Sequence, residues 1–158
     1  MPENHRPFRA SYLISGVAAE RIFTALLDVR RFPEWVAGLH SSRALDPTDS
    51  TEVEEIRPAV RLEFVLSAAG LTHRVLSVVT VVEPPNRLEW RYVEGASGRG
   101  GWLVEKEGVG SVRITLSTDY RIRPAWLDGM AHKPFFRGLA EDLIRRSMRR
   151  FEAHVRKD

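Results

Sequence analysis

Five histidines, at positions 5, 40, 73, 132 and 154, are the side chains best able to exchange a proton near neutral pH. None pairs with another at metal-binding helical spacing, and there is no His-Glu-x-x-His run, so no metal site is expected. His73 falls within a strand-like run and His40 near one. Each is either a general base facing an interior or an ordinary surface or satisfied core histidine. Tyr92, Thr118 and Tyr120 share an inward phase with apolar neighbours, where an unpartnered hydroxyl costs about 1 to 3 kcal/mol. Either these hydroxyls bond each other and the backbone, or they orient a ligand's carbonyl or hydroxyl. His73 and Tyr120 are the catalytic candidates, and Arg43 is a candidate charged donor at a cavity mouth. No Gly-x-Ser-x-Gly elbow presents a serine nucleophile, so covalent catalysis is not expected. Gly98, Gly100 and Gly101 read as a flexible hairpin, because Trp102 to Glu107 has the pattern of a strand and not of a phosphate-capping helix. No cofactor is expected.

The aromatic residues Trp35, Phe64, Trp90, Tyr92, Trp102, Tyr120, Phe135 and Phe136 come from segments that converge on one interior. They fill a core or line a pocket. As a lining, such flat side chains suit an aromatic or polycyclic guest better than an acyl chain.

The elements that must position these residues follow from periodicity. Phe8 to Ser15 is rich in strand formers and ends at Gly16. Ala18 to Asp28 places Ile22, Phe23, Leu26 and Leu27 at helical spacing, and Arg30 to Trp35 starts a second short helix with Pro33 in its first turn. From Leu39 to Ile122 strand-like runs alternate with turn signals: Leu39–Leu45, Glu52–Ile56, Val60–Ala68, Thr72–Glu83, Arg87–Glu94, Gly101–Glu107 and Gly110–Ile122. The turns are Asp46-Pro47, Ala69-Gly70, Pro84-Pro85-Asn86, Gly95 to Gly100 and Gly108 to Gly110. A meandering antiparallel sheet, with strands in sequence order, fits this pattern.

Alternation assigns the inward face in three runs. Leu62, Phe64 and Leu66 oppose Arg61 and Glu63; Leu88, Trp90 and Tyr92 oppose Glu89 and Arg91; Val112, Ile114, Leu116, Thr118, Tyr120 and Ile122 oppose Arg113, Asp119 and Arg121. Val75 to Val82 is apolar almost throughout, so it reads as a central strand or as an oligomer contact, the latter in a homodimer. From about Pro134 the pattern is helical. Phe135, Phe136, Leu139, Leu143, Ile144, Met148, Phe151 and Val155 cover one arc, and Arg137, Glu141, Arg145, Arg149 and Arg156 the other. Roughly 30 Å of helix can cross a whole sheet face.

The chain of 158 residues is 43% hydrophobic, enough for one domain with a core, residues 1–7 being read as flexible. The absence of cysteine excludes disulfides, thiolate metal sites and a cysteine nucleophile, and agrees with a reducing compartment. A formal charge of +3 is a weak excess. The base concentrated at Arg145, Arg146, Arg149, Arg150, Arg156 and Lys157 is interspersed with Glu141, Asp142 and Glu152, so a solvated helix face is expected and a nucleic-acid partner is not. No apolar run reaches the roughly 18 residues that suggest a membrane span, and residues 1–9 lack the apolar core of a signal peptide. A cytoplasmic protein is expected.

Ala19 to Phe23 leading to Asp28, then Arg31-Phe32-Pro33-Glu34-Trp35, the Glu83 to Leu88 turn and the terminal amphipathic helix together resemble the START/Bet v 1-like (SRPBCC) superfamily. The branch they resemble is that of polyketide cyclases/dehydrases and lipid-transport proteins. The resemblance implies an α+β helix-grip fold: a curved antiparallel sheet of about six or seven strands, two short helices, and a long C-terminal helix over an apolar cavity. In related proteins that cavity holds lipids, plant hormones, quinones or aromatic polyketides. No catalytic constellation of the cyclases matches position by position, and Val36 to Ser42 does not match the characteristic segment of the quinone-chaperone branch. Placed on this layout, the ligand-lining set is Trp35, Phe64, Leu66, Trp90, Tyr92, Trp102, Ile114, Leu116, Thr118, Tyr120, Phe136, Leu139 and Leu143. Three functions remain open: carriage of a hydrophobic small molecule, polyketide cyclisation or aromatisation, and protein interaction through the last helix or the Val75 to Val82 run.

Overall fold

A computed structural model describes residues 8–68, 70–122 and 134–157. Strand β1 (Phe8–Ser15) leads through Gly16, whose φ of +76° allows the reversal, into helix α1 (Ala19–Leu27). A 3-10 helix over Val29–Glu34 follows. Then come β2 (Leu39–Leu45), β3 (Glu52–Val53), β4 (Arg61–Ala68), β5 (Leu71–Glu83), β6 (Arg87–Glu94), β7 (Ala96–Lys106), β8 (Ser111–Ile122) and the long helix α2 (Pro134–Arg156).

The strands form one antiparallel sheet in the order β1-β8-β7-β6-β5-β4-β2-β3. Eight strands replace the six or seven expected. From β4 to β8 the meander runs in sequence order, but β1 returns to pair with β8, and β3 caps the far edge as a two-residue strand on β2. The second short helix begins at Val29, with Pro33 near its end.

The largest departure from the sequence reading is β7, which starts at Ala96 and absorbs the glycine segment expected to be a turn. The reason is steric. Gly98 stands opposite Tyr92 and Tyr120, and Gly100 opposite Trp90 and Thr118. A Cβ on Gly100 would lie 2.8 Å from Trp90 Nε1, Cε2 and Cζ2. Gly100 is therefore a strand position over which the Trp90 ring lies flat, whereas Gly98 is needed for its φ of +110° and for the Asp119 carbonyl that a Cβ would strike.

Central strand β5 pairs with β4 on one side and β6 on the other. Its partners Phe64, Leu62 and Trp90 set Val75, Ser77 and Val79 on the inner face, and a bulge between Val79 and Val81 shifts the phase so that Val82 meets Leu88. The run reads as continuously apolar because the other face is covered too: Leu76 is only 6% exposed.

The core forms where α1, the 3-10 helix and α2 lie against the inner face. Ile22, Phe23 and Leu26 of α1 are buried, as are Met148, Phe151 and Val155 of α2. Trp35, just beyond the 3-10 helix, is the hub. Its ring centroid lies 4.7 Å from that of Phe151, 5.0 Å from Phe32 and 6.3 Å from Trp102. Ser147 fixes α2 at this corner by accepting the Ala37 N–H at 2.8 Å and donating to Leu143 O at 2.7 Å. At the far end Arg21 Nε donates to Val155 O and Arg156 Nη2 to Ser15 O, each at 2.7 Å. Among the described residues, no helix is long and apolar enough to cross a membrane.

Candidate functional site

Between the inner face and α2 lies a cavity of about 360 Å³. Alternation delivers its lining. Phe64 and Leu66 project from β4, Trp90 and Tyr92 from β6, and Trp102 from β7. Leu116, Thr118 and Tyr120 project from β8. The 3-10 corner contributes Phe32 and Trp35, with Phe32 stacked on Phe64 at 6.1 Å, and α2 contributes Ile144, Ser147 and Met148. No Asp, Glu, Lys or Arg is among these lining residues. The volume lies within the range of small-molecule sites, toward its lower end.

Nine of the expected ligand-lining residues thus meet at one cavity. Ile114, fully buried, packs in the core outside the lining, and Leu143 lies over Gly38 while its neighbour Ile144 turns inward. The side chains of Phe136 and Leu139 fall outside the described residues. Of the residues not expected, Val36, Leu39, Val75 and Ala96 also line the cavity. Their signal was weak, since short apolar side chains at element ends look the same in any core.

Arg43 is corrected outright. It pairs in register with Glu63 on the outer face and donates to Glu63 Oε1 at 2.6 Å. A bulge between Leu39 and Ser41 offsets the strand phase there. Arg74 holds the other Glu63 oxygen, 2.8 Å from its Nε. Clamped by these guanidiniums, foremost that of Arg43, the Glu63 carboxyl has its pKa lowered against an opposing desolvation. His40 is exposed and stands outside the lining.

The catalytic candidates His73 and Tyr120 both reach the cavity. His73 Nε2 lies 2.7 Å from Gly95 O. A carbonyl only accepts, so Nε2 carries a proton in this contact. Gly95 is required there: its φ is +78°, and a Cβ would collide with Arg74 O.

Besides His73, Tyr120 and Ser147, a hydroxyl pair interrupts the apolar wall. Tyr92 Oη and Thr118 Oγ1 share a hydrogen bond of 2.9 Å. Burial pushes the Tyr92 pKa up, and the Thr118 hydroxyl and the neighbouring Trp90 indole work against that rise. Trp90 Nε1 is itself buried, with no acceptor at hydrogen-bond distance among the described residues. Trp35 Nε1 and Ser77 Oγ are likewise buried and unpartnered among the described residues.

The outer face carries a second, wider hollow around Gly101, bordered by Arg9, Arg91, Arg99 and Asp119. Its walls carry charged side chains, which the described lining of the inner cavity does not. No group of three His, Cys, Asp or Glu among the described residues could hold a metal ion.

Comparison with known proteins agrees with this architecture. A family model described as polyketide cyclase / dehydrase and lipid transport matches residues 8–156. A START superfamily protein from Mycobacterium smegmatis superposes with a TM-score of 0.70 at 13% identity, covering 96% of this chain and 97% of that one. The Zhui aromatase/cyclase from Streptomyces sp. R1128 superposes at 0.69 with 16% identity, covering 96% and 94%. Major latex-like protein 151 from Panax ginseng gives 0.63 at 14% identity, covering 94% and 97%. At such identities these structures share the fold. No curated protein matches the sequence.

Proposed function

The chain belongs to the polyketide cyclase/dehydrase and lipid transport family, and from that membership we propose that its interior cavity binds a hydrophobic, flat aromatic small molecule for carriage or storage. The observation that carries this reading is the cavity of about 360 Å³ walled by Trp35, Phe64, Trp90 and Trp102, with no Asp, Glu, Lys or Arg among its described lining residues. Burial of a flat guest against such rings contributes about 25 cal/mol per Å² of apolar surface removed from water, and a neutral guest avoids the desolvation penalty an ion would meet. Aromatic faces add offset and edge contacts that an acyl chain cannot make.

Thermal denaturation across a panel of neutral aromatics and acyl chains of matched size tests the reading. A ligand at a hundred times its Kd stabilises the fold by about 2.7 kcal/mol. Aromatics should raise Tm and acyl chains should raise it less; no shift with any member refutes the reading.

A second reading, a cofactor-independent cyclase or dehydratase, is favoured by one observation: His73, with its Nε2 proton tied to Gly95 O, reaches the same cavity as Tyr120. An imidazole held through Nε2 leaves Nδ1 as the nitrogen that could take a proton, the arrangement a general base for enolising a ketone needs. Under that reading His73→Gln abolishes turnover while ligand-dependent stabilisation persists.

A further inference from the structure

The outer face of the sheet holds two like charges side by side. Arg91 on β6 and Arg99 on β7 stand directly opposite each other in the strand register, and both are exposed. Like charges in that position repel, so the pair opposes folding slightly where an opposite-charge pair would favour it. Among the described residues neither guanidinium is held in an ion pair. Asp119 lies across from Arg99 on β8 and offsets part of their charge.

Both arginines border the outer hollow, whose volume of about 880 Å³ is of metabolite size. Gly101, without a side chain, opens its floor between the row of Arg91 and Arg99 and the row of Arg87 and Leu103. Arg87 is already taken up by Glu83, at 2.8 Å. Arg9 enters from β1, and its Nε is 3.5 Å from Ser117 Oγ, beyond the range of a good hydrogen bond. The guanidiniums of Arg9, Arg91 and Arg99 thus remain available to an anion, while Glu89, Thr115 and Ser117 line the same hollow and can bond hydroxyl groups.

We propose that this hollow is a second ligand site, for a phosphate monoester of a hydroxylated small molecule, with Arg91 and Arg99 holding the phosphoryl group. Guanidiniums bind phosphoryl oxygens in bidentate fashion. A phosphate monoester is a dianion above its second pKa of about 6, so one group answers two adjacent positive charges, whereas a carboxylate brings one. Binding relieves the repulsion that the free protein tolerates. The site lies across the sheet from the interior cavity, so it stands or falls apart from the carriage reading.

Calorimetric titration with glucose 6-phosphate, glycerol 3-phosphate and glucose 6-sulfate tests the proposal. The sulfate ester has the shape of the phosphate but a single charge. At about pH 7.5 glucose 6-phosphate should bind about tenfold more tightly than the sulfate, and the gap should narrow at about pH 5.5 as the phosphate takes up a proton. Arg91→Gln and Arg99→Gln should each weaken phosphate binding about tenfold while leaving Tm unchanged or slightly higher, since the repulsion is lifted. Arg113→Gln removes the same charge from an arginine paired with Glu107 outside the hollow, and should leave the affinity unchanged. Equal affinities for phosphate and sulfate, an equal loss in the Arg113 variant, or no binding of either phosphate ester would overturn the proposal. Co-sedimentation with phosphatidylcholine vesicles containing phosphatidate, without binding of the soluble esters, would place the phosphoryl group on a lipid and overturn the small-molecule assignment.

Discussion

Gly100→Ala isolates the Trp90 seat with the smallest change available. The new Cβ would stand 2.8 Å from three atoms of the indole. Carbon atoms settle at about 3.5 to 4.0 Å, so the ring must retreat by about 1 Å, and its only free direction is into the cavity. Overpacking of this kind costs about 1 to 3 kcal/mol. Alanine recovers about 0.5 to 1 kcal/mol over glycine within a strand, and Gly100 has no left-handed φ to forbid it. The net loss is therefore about 0 to 2.5 kcal/mol, measured by urea denaturation. Ligand affinity should fall further than stability does, by about fivefold or more for a flat aromatic guest, because the displaced Trp90 ring takes up room in the cavity. Gly101→Ala is the control: its Cβ would point to the outer face, 3.1 Å from Glu89 Cγ and 3.0 Å from Leu88 O. It should cost similar stability and leave binding unchanged. Identical affinities for the Gly100→Ala variant and the unmodified protein would refute the reasoning.

Three further outcomes are expected. Because the Glu63 pKa is lowered from its ordinary 4.5, its ion pairs add stability that is present above that value and is lost as pH falls through the lower folded pKa; Glu63→Gln should flatten this acid limb in pH-dependent denaturation and cost about 1 to 3 kcal/mol near neutrality, toward the low end because Arg43 and Arg74 are about half exposed. Phe151→Ala, at a fully buried ring in contact with Trp35, should cost about 3 to 5 kcal/mol by calorimetry. Arg43→Ala, on the outer face, should leave small-molecule binding unaltered in fluorescence titration while weakening the hold on Glu63.

Local alternation made much of the cavity wall legible in the sequence. Leu62, Phe64 and Leu66, and Leu116, Thr118 and Tyr120, sit in strands without a bulge across those positions, so their period-two pattern survives into the structure. Bulges hid the rest. The offset between Leu39 and Ser41 misplaced Arg43, and in β5 the burial of Leu76 on the outer side, with the bulge between Val79 and Val81, left no readable phase from Val75 to Val82. The glycines of β7 misled for another reason. Glycine signals a turn when its backbone freedom is needed, but Gly100 is needed because the Trp90 ring occupies the space of a side chain, and that follows only from cross-strand register. The unpaired donors of Trp35 and Trp90 were invisible for the same reason: hydrogen-bond satisfaction is a property of packing, and the residue type carries only the donor.

Native mass spectrometry of the gently purified protein, beside a denatured control and after incubation with neutral flat aromatic compounds, tests the central claim most directly. The account predicts one small-molecule adduct per chain that is released on denaturation. The bare chain mass under every condition would contradict it.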